Sequence, residues 1–370
     1  MDQKQQSLKR VLSQAVSFHQ RGRLDQAERL YLQVIKMRLD HFEARRLLGI
    51  LRYQQGRNAE ALALIGAALK TNPNVAEALL NYVVVLRKVG RFEDALASYD
   101  KILVSDPDHA EALYSRGVTL QHLQRYEAAL ASYDRALAIK PDYVEALNNR
   151  GIVLQQLQRL EDALASYEMA LAINRGYVEA LNNRGIVLQH LQRLEDALVS
   201  YDAALAINPS YVEALNNRGA ILQQLRRAEE ALASYDKALA TKPYDVEALS
   251  NRGAALRDLK RHEEALASYD EALTINPNHA EALNNRGVTL QDLQRYEEAL
   301  ASYDKALQIK QDHAEALNNR GNTLRYLRRF EEALASYEKA LAIKPDHPEA
   351  LCNRGITQQQ LSPTDRDERA

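Results

Sequence analysis

Residues 144–177 read VEALNNRGIVLQQLQRLEDALASYEMALAINRGY, and residues 178–211 repeat them almost letter for letter. Gly117, Gly151, Gly185, Gly219, Gly253, Gly287, Gly321 and Gly355 stand 34 residues apart, and a fixed period of that size marks a stacked-repeat architecture. Carried backwards, the register puts Gly49 in the same column, with Val83 and Ala15 substituting. Ten full units follow: 8–41, 42–75, 76–109, 110–143, 144–177, 178–211, 212–245, 246–279, 280–313 and 314–347. An eleventh begins at Pro348 and stops half-way, so 348–361 reads as a capping helix, 1–7 as a lead-in and 362–370 as a charged, disordered tail.

Spacing within one unit gives the local fold. Leu147, Gly151, Leu154 and Leu157 recur at intervals of three and four, one face of a helix. A second helix carries Ala163, Leu164, Tyr167, Ala170 and Leu171. Gly151 and Ala163 present almost no side chain, so the two helices can cross closely as an antiparallel hairpin. Proline at repeat position 32, as in Pro141 and Pro209, removes a donor and ends the second helix. Asp142 with Glu145 reads as a capping box for the next helix, repeated by Asp108 with Glu111, Ser210 with Glu213, Asn278 with Glu281 and Asp346 with Glu349. One hairpin cannot bury its apolar face alone, so neighbours must stack into a solenoid.

These residues resemble the tetratricopeptide repeat (TPR) family: period 34, a small residue at position 8, Ala at 20, an aromatic at 24, Ala at 27 and Pro at 32. The resemblance covers most of the chain and implies an all-α, right-handed TPR superhelix of antiparallel helix pairs, an α-solenoid. In unit 144–177 the matching residues are Gly151, Ala163, Tyr167 and Ala170, with Arg175 in place of the proline. Position 4, often aromatic in the family, is mostly leucine here.

Composition narrows the function. The single cysteine, Cys352, excludes an intramolecular disulfide or a thiolate metal cluster and fits a reducing compartment. Neither a signal-peptide core at residues 1–10 nor a run of eighteen apolar residues is present, so a soluble, cytoplasmic chain without a membrane span is expected. Residues 1–75 hold 13 Lys/Arg against 6 Asp/Glu although the whole chain carries −2, which leaves a basic beginning and an acidic remainder. A basic segment can attract nucleic acid or an anionic surface, but these charges are spread over helical faces and mixed with acids.

On a helical wheel, positions 4, 7, 8, 11 and 14 of the first helix group on the core side, with 2, 5, 6, 9, 12 and 13 largely opposite. The resemblance implies that this second set lines a concave ligand groove. Position 6 is Asn81, Asn149, Asn183, Asn217, Asn251, Asn285, Asn319 and Asn353; position 5 adds Asn148, Asn182, Asn216, Asn284 and Asn318. Position 12 supplies Gln121, Gln155, Gln189, Gln223 and Gln291, and position 9 an aliphatic floor in Val118, Ile152, Ile186 and Val288. A carboxamide donates and accepts, so such a ladder suits an extended peptide whatever its side chains. Alternatively, the position-6 asparagines bond the neighbouring repeat and hold the array together, and the aliphatic residues pack helix on helix.

Position 7 departs from the family: it is arginine from Arg116 to Arg354, on the core side of the wheel. An unpaired buried guanidinium is unfavourable, so its head should reach the acid at position 25 of the preceding unit, such as Asp134, Glu168, Asp202 or Asp236. Arginine at position 16, from Arg23 to Arg329, falls in the turn and reads as exposed charge. Of nine histidines, five occupy position 34, where Tyr143, Tyr177 and Tyr211 substitute, which reads as packing rather than catalysis. His122 and His190 fall on the groove face two repeats apart, too distant to share a metal. The glycine column lies in helices and is no nucleotide loop.

No enzyme activity, cofactor or metal is expected. The expected function is a protein-interaction scaffold whose Asn/Gln ladder binds a protein or extended peptide. The amide ladder resembles the groove of bacterial TPR arrays attached to O-linked N-acetylglucosamine transferases, so a recognition arm of a glycosylation system is the alternative. A carboxylate clamp for chaperone tails would need basic residues at positions 2, 5 and 6, where Glu, Asn and Asn stand, and nucleic acid ranks third because the groove is neutral amide. Self-association through the C-terminal edge is a further alternative, since Leu351, Gly355 and Ile356 make it a poor polar cap.

Overall fold

A computed structural model describes residues 3–361, with side chains from residue 5. The tail expected over 362–370 lies outside the described residues. Among them are 21 helices and no strand. The first helices of the repeats are α1 (Gln3–Gln20), α3 (Phe42–Gln54), α5 (Ala76–Lys88), α7 (Ala110–His122), α9 (Val144–Gln156), α11 (Val178–His190), α13 (Val212–Gln224), α15 (Val246–Asp258), α17 (Ala280–Asp292) and α19 (Ala314–Tyr326). The second helices are α2 (Leu24–Met37), α4 (Asn58–Thr71), α6 (Phe92–Ser105), α8 (Tyr126–Ile139), α10 (Leu160–Ile173), α12 (Leu194–Ile207), α14 (Ala228–Thr241), α16 (His262–Ile275), α18 (Tyr296–Ile309) and α20 (Phe330–Ile343). A last helix, α21 (Pro348–Leu361), follows. The chain divides into two compact units, residues 1–180 and 181–370, each a stretch of stacked helical hairpins.

The glycine column is explained by the tyrosine column. A Cβ on Gly151 would stand 2.6 Å from the Tyr167 ring, and one on Gly219 2.5 Å from Tyr235. The small residue therefore makes room first for the aromatic ring of its own second helix, and in repeat 2 the backbone of the position-20 residue Ala61 also lies 3.2 Å from a Cβ on Gly49. Tyr133, Tyr167, Tyr201, Tyr235, Tyr269, Tyr303 and Tyr337 are all fully buried, and each aromatic ring so enclosed contributes on the order of 2 kcal/mol of apolar burial. In repeat 2 the pair becomes Gly49 and Ile65.

The hairpin turn is a helix C-cap of Schellman type. Arg159 N–H donates to Leu154 C=O at 2.9 Å and Gln158 N–H to Gln155 C=O at 3.0 Å, with Gln158 left-handed at φ 59°. Glycine fills that place in the first three repeats, as Gly22, Gly56 and Gly90, and a longer residue in the next seven. Second helices end just before the proline: Lys140, preceding Pro141, is extended at φ −127°, ψ 85°.

Helix starts correct one expectation. The N-cap is the residue at position 34, not the Asp, Ser or Asn before it: Tyr143 caps α9, and Asp245 caps α15 with its carboxylate accepting from Ala248 N–H at 3.1 Å. Asp108, Asp142, Ser210, Asn278 and Asp346 therefore precede the cap. Several position-34 histidines have a definite role, since Nδ1 of His41, His109, His279 and His313 accepts from the backbone N–H three residues on. Tyrosine can replace them because the backbone turn survives without that bond: Leu147 N–H still donates to Tyr143 C=O at 3.0 Å.

Candidate functional site

The column of position-7 arginines is structural. Arg150 Nε donates to Asp134 at 2.6 Å, and Arg218, Arg252, Arg286 and Arg320 reach Asp202, Asp236, Asp270 and Asp304 at the same distance. Sequence reasoning missed the third partner. Arg218 Nη1 also donates to Ser234 at 2.7 Å and Arg320 Nη1 to Ser336 at 2.7 Å, while the serine hydroxyl bonds a carbonyl four residues back. Arg116, Arg150, Arg218, Arg252, Arg286 and Arg320 thus tie the preceding second helix to their own, whereas Arg184 Nε donates to Ser200 at 3.0 Å instead of to the expected acid. At position 16, Arg159, Arg193 and Arg329 pair with an acid three residues on, Asp162, Asp196 and Glu332, as exposed ion pairs of small energetic weight.

The opposite face of the first helices separates into two layers. Asn148, Asn182, Asn216, Asn284 and Asn318, at position 5, are buried, none more than 9 % exposed. Asn81, Asn149, Asn183, Asn217, Asn251, Asn285, Asn319 and Asn353, at position 6, are half-buried. The two columns meet across repeats: Nδ2 of Asn217 donates to Oδ1 of Asn182 at 3.0 Å, Asn319 to Asn284 at 3.2 Å, and Asn353 to Asn318 at 3.1 Å. In the first unit Asn149 donates to the Tyr114 hydroxyl at 3.2 Å, since Tyr114 stands at position 5 there.

At position 12 some glutamines also make an inward bond. Gln121 accepts from the Tyr133 hydroxyl at 2.9 Å and Gln223 from Tyr235 at 2.8 Å. Burial raises these phenols well above the usual tyrosine range, so they stay protonated donors. Gln155 and Gln189 are half-buried, but the Tyr167 and Tyr201 hydroxyls near the same register have no hydrogen-bond partner. The outer layer thus holds positions 2, 6, 9 and 13, spaced by four, three and four, with the half-buried glutamines of position 12 at its edge. Glu145, Glu213 and Glu247 are exposed at position 2; Ile152 and Ile186 are half-buried at position 9; Gln156, Gln224, His122 and His190 are exposed at position 13.

In the first unit this layer encloses an open cavity of about 300 Å³ between α7 and α9, lined by Val118, Gln121, His122, Tyr126, Asn149, Ile152 and Gln156. Its floor is aliphatic and its walls are carboxamide, imidazole and phenol. Next to it, His122 stacks on Phe92 with ring centroids 5.5 Å apart. Among the described residues no group of three or more His, Cys, Asp or Glu could hold a metal ion, and no helix is long and apolar enough to cross a membrane.

Tandem helical hairpins with a glycine-tyrosine contact, an interrepeat arginine and an outward layer on the first helix define a helical-repeat scaffold. Family models described as tetratricopeptide repeat match residues 12–76, 49–106, 83–144, 144–177, 178–211, 200–233, 244–312 and 278–346. The chain belongs to the tetratricopeptide repeat family, and as such it is a protein-interaction scaffold. Comparison with curated proteins finds no match. Among solved structures, a tetratricopeptide repeat protein from Parabacteroides merdae is similar at 21 % identity and TM-score 0.56, over 67 % of this chain and 98 % of that one. A chain of the APC/C hetero-tetramer Cut9-Hcn1 is similar at 14 % identity and TM-score 0.56, over 94 % and 75 %. PilF of Pseudomonas aeruginosa is similar at 20 % identity and TM-score 0.52, over 59 % and 97 %. At these identities the likeness is one of fold.

Proposed function

We propose that this scaffold holds an extended protein segment along the first-helix face, through positions 2, 6, 9 and 13. The observation that carries this reading is the state of the position-6 carboxamides. Asn217 and Asn319 each spend one N–H on the preceding repeat and remain half-buried beside the open layer, which leaves a second donor and the carbonyl for a ligand main chain. The position-5 asparagines act as the fixed backing that orients them. Aliphatic residues such as Ile152 supply contact area, and the exposed glutamates at position 2 favour a segment carrying lysine or arginine. Repetition of the same four positions sums modest contacts over several repeats.

The test is selection from a random linear peptide library on the full chain, followed by affinity measurements on Ile152→Glu, which puts a charge on the cavity floor. We expect selected peptides to be enriched in basic residues and to lose at least about tenfold in affinity on that variant, in the range of one buried contact. Failure to select any peptide, or unchanged affinity for a variant whose circular dichroism matches the parent, would overturn the proposal.

A further inference from the structure

Successive second helices enclose a groove that recurs in one register. Between α18 and α20 it is lined by Asp304, Leu307, Leu317, Arg320, Ser336 and Lys339, and between α12 and α14 by Asp202, Leu205, Leu215, Arg218, Ser234 and Lys237. In both, the arginine crosses the groove. Arg320 reaches Asp304 at 2.6 Å and Ser336 at 2.7 Å, and Arg218 reaches Asp202 at 2.6 Å and Ser234 at 2.7 Å. Between α4 and α6 the groove has no such crossing. Gly66 stands at position 25 and Tyr82 at position 7, while Ser98 keeps its place at position 23. A Cβ on Gly66 would lie 3.6 Å from the Tyr82 hydroxyl, so a phenol and an empty site replace the ion pair.

We infer that this third groove binds a free fatty acid, with the acyl chain along α4 and the carboxylate at Lys70 and Lys101.

The groove measures about 650 Å³, against about 560 and 470 Å³ in the two that an arginine crosses. That is within the range of small-molecule sites. Leu62, Ala63, Ala67, Leu69, Leu79 and Tyr82 make its walls and floor. Ala59 and Lys70 both line it, so it follows α4 for a rise of about 16 Å.

Charge gives the trough a direction. Its lining holds Lys70, Arg91 and Lys101 and no acid. Arg91, just before α6, is already paired with Asp94 at 2.6 Å. Lys70, in the last turn of α4, and Lys101, in the second half of α6, are exposed, and neither forms an ion pair among the described residues. The unpaired positive charge therefore sits towards one end of an apolar trough. A single anionic head on a single chain matches that asymmetry; an acidic helix would need unpaired cations along both rims. α5 contributes only Leu79 and Tyr82, at positions 4 and 7 of its core side, so the groove is separate from positions 2, 6, 9 and 13.

The test is calorimetric titration of the full chain with laurate below its micelle concentration. Saturable one-to-one binding is expected, stronger than that of decanoate by up to about fourfold per added methylene. Lauryl alcohol, which lacks the charge, should bind at least about threefold more weakly in competition with laurate. Gly66→Asp combined with Tyr82→Arg rebuilds the crossing beside Ser98 and should weaken laurate at least about tenfold, the loss of about two buried methylenes, with the circular dichroism melt retained. Lys101→Glu, at an exposed position, should weaken it at least about threefold with the fold intact. No saturable binding, equal affinity for acid and alcohol, or parental affinity in Lys101→Glu or in a folded double variant would overturn the inference. So would co-flotation with phosphatidylglycerol vesicles in the absence of laurate binding, which would assign the lysines to a lipid surface.

Discussion

Arg46 and Asn318 occupy the same position in their repeats, and both join that repeat to the next, by unlike means. Arg46, 5 % exposed, donates to Glu43 in its own helix at 2.9 Å and to Glu77 of the following repeat at 2.7 Å. Asn318 accepts one hydrogen bond from Asn353. Nearby, Arg52 takes the place of the leucine found as Leu324 and reaches Glu28 of the preceding repeat at 2.7 Å. At position 5, therefore, the second repeat is stitched by a buried charge and the late ones by amides, which there stand beside the position-7 pairs such as Arg320 with Asp304. A charged stitch saturates its partners and responds to pH. An amide stitch is neutral and leaves hydrogen-bonding capacity at the surface, the capacity that the proposed binding layer draws on.

The largest effect separating the two regions should come from Glu28→Ala, which leaves the buried Arg52 with Glu60 as its one remaining carboxylate beside the Gln55 amide. A loss of about 2 kcal/mol is expected, below the value for a fully buried pair because Glu28 is partly exposed. Native-state hydrogen exchange in α2 and α3 should report it. Adding Arg52→Leu, the residue the other repeats use, should restore most of that loss; no recovery would mean that the ion pair does more than neutralise its own burial.

Acid titration sharpens the same contrast. The hydrogen bond from Arg52 holds the Glu28 carboxyl below the usual glutamate range. Its contribution is therefore complete above the unfolded value of about 4.3 and is lost as pH falls through the lower folded value. Glu28→Gln should flatten that acid-side decline in exchange protection of α2 and α3.

In the late repeats, Asn284→Ala leaves Asn319 without its acceptor inside a site where Asn284 is fully buried. About 1 kcal/mol of local stability should disappear, with no dependence on pH between 3 and 7 from this bond. The smallest effect concerns the left-handed turn residue. Gly22→Gln should destabilise α1 and α2 by about 0.5–1 kcal/mol, and Gln158→Gly should be neutral or slightly stabilising, because glycine accepts φ near +60° without strain yet loses more chain entropy on folding. Thermal melts of the two variants check the pair.

Much of this organisation was legible before any coordinates. The 34-residue period, the two helices per unit and the pairing of Arg150 with Asp134 all follow from spacing, since a helical wheel and a fixed repeat determine which residues can meet. The N-cap was misplaced by one residue because Asp142 and Tyr143 are adjacent and both fit three residues or so before an acid or alanine; only the backbone bond from Leu147 to Tyr143 decides. The wheel also grouped position 5 with the outward face, where the asparagines are buried. Whether such an edge residue is covered depends on the neighbouring repeat, which a wheel of one helix does not contain. The serine partner of Arg218 and the charged stitches of Arg46 and Arg52 were not read from the sequence: a serine beside an acid gives no charge signal, and Arg46 and Arg52 stand outside the repeating arginine column.

The central claim is that one asparagine column both stitches repeats and presents a binding layer. Hydrogen exchange of the full chain with and without a library-selected linear peptide tests it most directly. The account predicts new protection on first helices that carry the position-6 asparagine, such as α9 and α13, and none on α1 and α3, where Ser13 and Leu47 stand at that position. Protection confined to the second helices, or centred on α1 and α3, would contradict it.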